Sequence, residues 1–216
     1  MAYTKTAYTK GYGEITEKKS RFIANVQPVS SEEEALEFIA KMKKQYYDAR
    51  HNCYAYIIGR NEDVKRSGDD GEPSGTAGRP MLNILEKEGI YNTAVVVTRY
   101  FGGVLLGTGG LVRAYQEATQ EGLRNTKMVE RCAGYKMHMK IPYTLLGKMQ
   151  YMCAGMQLPI VETVYEEEIF MTILVPTEEV PGVIKEVMAQ TDGKIEPTEG
   201  EYVEYISTGD GVEIIS

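Results

Sequence analysis

The stretch AVVVTRYFGGVLLGTGGLVRAYQEA, residues 94–118, places an apolar run, a glycine-rich loop and an amphipathic segment in direct succession. Ala94 to Val97 is a continuous apolar run, which is typical of a strand buried on both faces of a sheet. Five glycines occur in Gly102–Gly110 and indicate tight turns or close backbone approach to another group. Apolar residues at helical spacing from Leu111 to Leu123 predict a helix. The stretch therefore predicts a domain that combines a sheet with helices.

The residues before this stretch extend the same pattern. Arg21–Val29 is predicted as a strand because its polar and apolar residues alternate loosely. Cys53–Ile58 is predicted as a strand because it is rich in β-branched and aromatic residues. Between them, Ser31 and Glu34 form a capping-box pattern, which predicts the start of a helix. The apolar residues behind it recur at helical spacing as far as Tyr46.

A polar stretch, Gly59–Gly78, is predicted as a loop that leads into another helix. Pro80 suits the first turn of that helix, where its missing N–H costs nothing. Gly89 is predicted to end the helix.

The last third of the chain has a different order of elements. The order is strand, helix, strand, strand, helix, strand, which is the ferredoxin-like, split β-α-β arrangement. The predicted elements are Tyr135–Ile141, Pro142–Gln157, Ile160–Val164, Ile169–Val175, Glu178–Gln190 and Lys194–Ile206. We therefore predict an α+β protein with an N-terminal domain at residues 1–132 and a ferredoxin-like domain at residues 133–216. Met149, Met152 and Met156 are predicted as core residues of the first helix.

Composition limits the class of protein. The chain has 216 residues, which fits one large domain or two small ones. No apolar run approaches the roughly 18 residues of a membrane span, and no secretory signal is visible at the N-terminus. The three cysteines, Cys53, Cys132 and Cys153, form neither an even set nor a close pair, which favours a reducing compartment. We therefore expect a cytoplasmic protein without a membrane partner.

The formal charge of −7 is unevenly distributed. Residues 1–132 contain 19 Lys and Arg and 17 Asp and Glu, whereas residues 133–216 contain 5 Lys, no Arg and 14 Asp and Glu. This asymmetry indicates two domains with different surfaces. The acidic half either keeps its domain in solution or docks a basic partner.

The loop Ser67–Pro80 delivers the chain to a helix N-terminus, where free backbone N–H groups favour an anion. Its three acidic side chains repel phosphate unless nearby cations pair with them. The acidic residues are Asp69, Asp70 and Glu72, and the cations are Lys65, Arg66 and Arg79. Two interpretations stay open: a phosphate-binding loop, to which Arg79 adds a bidentate contact, or a structural loop whose carboxylates cap turns.

Arg99, Tyr100 and Phe101 place a cation beside two aromatic rings at the end of a strand. Such a group can neutralise phosphate and stack bases, as in proteins that bind single strands. Alternatively, one ring lies in the core and Arg99 pairs with an acid of the loop 69–72. Strand alternation predicts that Tyr100 and Phe101 point to opposite sides.

The sequence contains only incomplete versions of known catalytic and nucleotide-binding motifs. Gly102–Gly107 has the glycine spacing of a Walker A loop, but Thr108 stands where the lysine is required, and Val112 breaks the dinucleotide fingerprint. His51 and Cys53 lack the orienting group that a nucleophilic cysteine needs. Paired zinc-ligand motifs are absent from the sequence. We therefore predict no catalytic residue, no cofactor and no metal.

Four segments together resemble the YigZ/IMPACT family. They are Lys18-Lys19-Ser20-Arg21-Phe22, Asp48-Ala49-Arg50-His51-Asn52-Cys53, Asp69–Leu82 and Arg99–Ala118. The resemblance covers residues 15–130 and is weaker in the C-terminal domain. It implies an N-terminal domain like a small-subunit ribosomal protein and domain four of elongation factor G. It also implies a C-terminal domain like domain five of that factor. Eukaryotic relatives regulate translation through a starvation-sensing kinase pathway, and bacterial relatives are suspected of binding RNA or the ribosome.

We therefore predict a non-enzymatic, translation-linked regulator that binds RNA, the ribosome or another translation-related protein. In this hypothesis cations contact phosphate, Tyr100 or Phe101 stacks on bases, and Gly102 and Gly103 permit close approach of the ligand. The phosphate contacts are Lys65, Arg66, Arg79 and Arg99, and the remaining ligand contacts are Asp69, Asp70, Glu72, Ser74, Gly75 and Thr76. The alternative is an enzyme that acts on a small, phosphate-bearing anion in a cleft between loops 69–79 and 99–110. Its three acids would serve as base or magnesium ligands.

Overall fold

The computed structural model describes residues 3–59, 64–208 and 211–215. The chain forms two compact units: Thr4–Val129 is the N-terminal unit, and Glu130–Ser216, with which Tyr3 is grouped, is the C-terminal unit. Each unit combines helices with an antiparallel sheet, which confirms the predicted α+β class. Among the described residues, every helix is too short or too polar to cross a membrane.

The N-terminal unit contains a five-stranded antiparallel sheet in the order β2-β3-β7-β4-β5. A short parallel pair, β1 with β6, accompanies it. In chain order the elements are β1 (Tyr3–Ala7), β2 (Gly11–Glu17), β3 (Ser20–Pro28), α1 (Glu32–Gln45), β4 (His51–Ile58), β5 (Val64–Gly68), α2 (Gly78–Glu88), β6 (Ile90–Tyr91), β7 (Thr93–Tyr100) and α3 (Gly107–Arg124).

The central strand β7 is buried on both faces, as its continuous apolar run predicts. Val95 and Val97 belong to the core that includes residues of α2 and α3, whereas Ala94 and Val96 belong to the core that includes residues of α1. Such runs are commonest in parallel sheets. Here the sheet is antiparallel, and helices on both faces exclude water from the strand.

Two predicted helix ends are confirmed, the start of α1 at Ser31 and the end of α2 at Gly89. The Ser31 hydroxyl accepts a hydrogen bond from the Glu34 N–H at 3.2 Å, and the Glu34 carboxylate accepts one from the Ser30 N–H at 2.7 Å. These bonds satisfy N–H groups that have no partner within the helix. Helix α2 ends at Gly89, whose φ of 63° is in the left-handed region that glycine adopts without strain.

Two predicted loops are shorter than expected. The stretch predicted as the loop Gly59–Gly78 contains strand β5, which pairs with β4 from Tyr54 to Ile58; residues 60–63 lie outside the described part of the chain. Strand β5 has the sequence Val-Lys-Arg-Ser-Gly, so no apolar alternation indicated it. The predicted glycine loop ends early because α3 already begins at Gly107.

The C-terminal unit has the predicted ferredoxin-like topology. Its strands are ordered β12-β11-β8-β10-β9, so the four strands of the β-α-β-β-α-β pattern occupy the order fourth, first, third, second. The elements are β8 (Met128–Ile141), a 3₁₀ turn (Tyr143–Leu145), α4 (Leu146–Gly155), β9 (Ile160–Tyr165), β10 (Ile169–Pro176), α5 (Val180–Gln190), β11 (Thr198–Thr208) and β12 (Gly211–Ile214).

Helices α4 and α5 contribute to a single core with β8 and β10. Met149 and Met152 are buried in it, and Met156 is partly buried against it, as the sequence predicted for these methionines. Strand β8 begins at Met128 rather than at Tyr135, and the 3₁₀ turn occupies the start of the helix predicted from Pro142.

Candidate functional site

The acidic loop 69–72 is held together by its own carboxylates. Asp69 accepts hydrogen bonds from the N–H groups of Gly75, Ala77 and Gly78 at 2.8, 3.0 and 2.8 Å. Two of these N–H groups lie at the start of α2, where one of the two interpretations of the loop placed a phosphate. The chain's own carboxylate therefore fills that anion position.

Asp70 ties the loop to β4 and α1. Its carboxylate accepts a hydrogen bond from the Asn52 N–H at 2.7 Å and pairs with Lys43 at 2.5 Å. His51 Nδ1 lies 3.0 Å from the Asp70 carbonyl oxygen. Of the two interpretations of this loop, the observed geometry agrees with a structural loop whose carboxylates cap turns.

Arg99 is buried rather than exposed, with 7% of its side chain accessible. Its Nη1 donates to Glu72 Oε1 at 2.7 Å, and the Tyr115 hydroxyl donates to the same oxygen at 2.9 Å. The guanidinium lies 5.5 Å from the Phe22 ring centre and 5.6 Å from that of Phe101. The predicted pairing with a loop acid therefore forms, and the predicted phosphate contact by Arg99 is not available at the surface.

The other predicted cations do not join Arg99 in one patch. Lys65 and Arg79 both pair with Glu86 on α2, at 3.1 and 3.4 Å. Arg66 pairs with Glu32 on α1, at 3.7 Å. Lys65 lies opposite Ile57 on β4, whereas Arg99 lies opposite His51. Six residues of extended strand separate those two positions, which is about 20 Å.

The remaining residues of the predicted ligand loop have structural contacts. Thr76 is buried, and its hydroxyl donates to the Pro73 carbonyl at 2.6 Å. Gly75 has a φ of 76°, and its N–H is bound by Asp69. Ser74 is exposed.

Gly102 makes room for the chain itself. A Cβ on Gly102 would lie 2.0 Å from the carbonyl carbon of Lys19, and the Gly102 N–H donates to the Ser20 hydroxyl at 3.1 Å. Gly103 has a φ of 85°. The close approach predicted for a ligand at Gly102 is therefore made by the β2–β3 hairpin.

This hairpin supplies cations that the predicted site left out. Lys18 and Lys19 form its two-residue turn, with φ values of 45° and 67°, and both are exposed. Arg21 lies directly opposite Tyr100, with its guanidinium 5.8 Å from the ring centre. Arg50 is exposed and immediately precedes His51, the partner of Arg99. We call Lys18, Lys19, Arg21, Arg50 and Tyr100 the basic-aromatic surface.

The two rings after Arg99 point to opposite sides, as strand alternation predicts. The Tyr100 hydroxyl donates to Asp48 at 2.7 Å, beyond the end of α1, whereas Phe101 contacts Arg99 and is 53% exposed. The bond to Asp48, with a smaller contribution from burial, raises the pKa of Tyr100 to about 12. Tyr100 therefore presents a neutral ring at physiological pH.

Charges on the basic-aromatic surface are only partly compensated. Arg21 donates to Glu14 at 2.8 and 3.1 Å, and this bond lowers the pKa of Glu14. Lys18, Lys19 and Arg50 form no ion pair with any residue in the described ranges. By strand register, three cations that form no ion pair in the described ranges therefore lie within a few residues of the positions opposite Tyr100 and Arg99.

His51 and Cys53 both contact the backbone of the acidic loop. Cys53 is fully buried, and its Sγ lies 2.9 Å from the Asp69 carbonyl oxygen and 3.3 Å from the Tyr115 hydroxyl. Burial raises the pKa of the Cys53 thiol, so it stays protonated.

The segments that make this site match known proteins. The sequence model of the Impact N-terminal domain matches residues 18–123, and that of a domain of unknown function, DUF1949, matches residues 139–194. The IMPACT family member YvyE of Bacillus subtilis (strain 168) is 44% identical over 196 residues, which cover 91% of this chain and 90% of that protein. This chain belongs to the IMPACT family.

Other IMPACT family members agree with this assignment. YigZ of Escherichia coli (strain K12) is 34% identical over 165 residues, 76% of this chain and 81% of that protein. A crystal structure titled as that of a hypothetical protein covers 93% of this chain and 98% of its own, with 28% identity and a TM-score of 0.60. The whole basic-aromatic surface lies within the range matched by the IMPACT N-terminal domain.

Proposed function

We propose that this IMPACT family protein is a cytoplasmic, translation-linked regulator that binds single-stranded RNA through the basic-aromatic surface. The observation that carries the proposal is that the strand register brings the exposed cations Lys18, Lys19 and Arg50 close to Tyr100, whose ring is partly exposed. Cations attract the phosphate backbone, and an aromatic ring at the surface stacks on an unpaired base.

The arrangement favours a single strand over a duplex. Tyr100 lies opposite Arg21 on the neighbouring strand, and its neutral, partly exposed ring is of the kind that stacks on bases that have been splayed out. Bases in a duplex are stacked on each other and present no such face. The resemblance to a ribosomal protein and to elongation factor G supports a target on the ribosome or among its factors, as an analogy of fold.

The enzymatic alternative gains no support from the loop acids. Asp69, Asp70 and Glu72 already accept hydrogen bonds from backbone N–H groups, Lys43, Tyr115 and Arg99. Using them as a base or as magnesium ligands would require breaking the contacts that fix the loop. A binding role needs only side chains that are already exposed.

The test is a salt titration of RNA binding. A fluorescein-labelled oligouridine is titrated with the protein, and the dissociation constant is measured by anisotropy at several salt concentrations. Three phosphates neutralised on a single strand predict a slope of log K against log salt of about −2. In the variant Lys18→Gln/Lys19→Gln the slope should become shallower by about 1.4, since two contacts are lost.

The matched control is Lys148→Gln/Lys194→Gln, which removes two exposed lysines from the C-terminal unit. It should bind RNA like the unaltered protein. Equal slopes for all three proteins, or no salt-dependent binding, would overturn the RNA-binding proposal. Co-sedimentation with ribosomes then tests the link to translation, which fails if the hairpin variant and the unaltered protein sediment equally.

A further inference from the structure

The edge strand β9 of the C-terminal unit is exposed, apolar and unpaired on one side. It pairs only with β10 among the described strands. Four of its six residues are large, apolar and at least 38% exposed: Ile160, Val161, Val164 and Tyr165. An open strand edge carries free N–H and C=O groups, which are a template for another strand.

Strand β9 has few of the devices that usually protect an edge. It contains no lysine and no proline, and its one charged residue is Glu162. Its irregular pairing with β10 is limited to the Thr172/Ile173 position, and the segment from Glu162 to Tyr165 pairs in regular register. A regular edge rich in Ile, Val, Thr and Tyr is suited to adding a strand.

Side chains beside the edge define what the added strand must present. Val164 lies directly opposite the exposed ring of Phe170, and Glu162 lies opposite Thr172 on the same face. A residue added opposite Val164 therefore meets apolar surface, and one added opposite Glu162 meets a carboxylate. Side chains two residues apart on a strand share a face.

Charge selects the class of partner. The turn after β9 adds Glu166, Glu167 and Glu168, and Lys140 nearby is already paired with Glu168. Residues 133–216 contain no arginine and have nine more acidic than basic residues. The β9 strand of a second copy has no cation to place opposite Glu162, so self-pairing is disfavoured.

We propose that β9 binds an extended, basic segment of a partner protein by strand addition, with cationic side chains opposite Glu162 and apolar ones beside Val164 and Phe170. This surface is distinct from the RNA surface and lies on the other unit. Hydrogen bonds between the two backbones supply affinity, and the alternating side chains select the sequence of the bound segment.

The test uses a labelled synthetic peptide in which Lys and Val alternate, and the full-length protein. Binding is measured by fluorescence anisotropy at low salt, and hydrogen exchange is measured with and without peptide. We expect binding, together with slower exchange of the amides of Ile160–Tyr165. Glu162→Lys should weaken binding about tenfold, since an attractive cross-strand pair becomes a repulsive one. The control Glu186→Lys, on α5, makes the same change of charge and should bind normally.

Several outcomes would overturn the proposal. Equal weakening in Glu162→Lys and Glu186→Lys would show general attraction to the acidic unit rather than an edge site. Binding without protection of β9 amides would exclude strand addition. Equal binding of a peptide in which Glu and Val alternate would remove the selection by charge. A concentration-dependent dimer that protects β9 without peptide would assign the edge to a second copy instead.

Discussion

Arg99 is buried and paired with Glu72, which is one of the two interpretations that its sequence context left open. Its sequence context beside two aromatic residues suits a phosphate contact, and the structure instead places it between Phe22 and Phe101, paired with Glu72. Its Nε has no hydrogen-bond partner in the described part of the chain. Arg99 thus joins β7 to the acidic loop, and its loss would leave a buried carboxylate without its cation.

We predict that Arg99→Ala lowers the free energy of unfolding by about 3–5 kcal/mol, because breaking a buried ion pair leaves Glu72 uncompensated. The measurement is urea unfolding followed by circular dichroism. The control is Arg79→Ala, whose side chain is 60% exposed in its pair with Glu86 and whose loss should cost at most about 1 kcal/mol. Similar losses in both variants would contradict a structural role for Arg99.

At the scale of elements, the β2–β3 hairpin explains why the site was only partly predictable. Lys18 and Lys19 both have positive φ values, as in a type I′ turn, where Asn-Gly is the usual sequence. Because Lys-Lys carries no turn signal, the hairpin was not predicted. Its position is set by β3 pairing with β7 and by Gly102, contacts between residues about eighty positions apart.

Apolar periodicity, by contrast, predicted the elements that bury a face. The run Ala94–Val97 and the stripe after Ser31 depend on local spacing, and both appear as expected. Strand β5 was missed because its lysine and arginine pair with helices on opposite faces instead of alternating with apolar residues. The role of Asp69 was open because its partners are backbone N–H groups, which no residue type reveals.

We predict that Lys18→Asn/Lys19→Gly stabilises the protein and weakens RNA binding. Two lysines in the left-handed region cost about 1 kcal/mol or more each, and Asn-Gly adopts this turn with little strain. The free energy of unfolding in urea should therefore rise by about 2 kcal/mol. The salt slope of RNA binding should change as in Lys18→Gln/Lys19→Gln. An unchanged stability would mean that the turn is not strained, and unchanged binding would remove both lysines from the RNA surface.

At the scale of the whole molecule, the two proposals divide between the units by charge. The half with residues 1–132 has slightly more basic than acidic residues and holds the RNA surface, and the half with residues 133–216 holds the edge proposed to bind a basic segment. Two phenols with a raised pKa, those of Tyr12 and Tyr100, belong to the first unit. Hydrogen bonds to Glu14 and Asp48 raise the pKa values of Tyr12 and Tyr100 to about 12 from the ordinary value of 10.0.

The raised pKa values of these two phenols predict that the protein loses stability at alkaline pH. Since the folded state raises both pKa values, their stabilising effect is complete below pH 10 and declines as the pH rises towards about 12. We predict that the urea midpoint, followed by circular dichroism, falls more between pH 9 and pH 11 in the unaltered protein than in Tyr12→Phe/Tyr100→Phe, which has no phenol to ionise at either position. Tyr151→Phe, which alters a ring that is 83% exposed in the other unit, should follow the unaltered protein. Parallel declines in all three proteins would show that the bonds to Glu14 and Asp48 contribute nothing to folding.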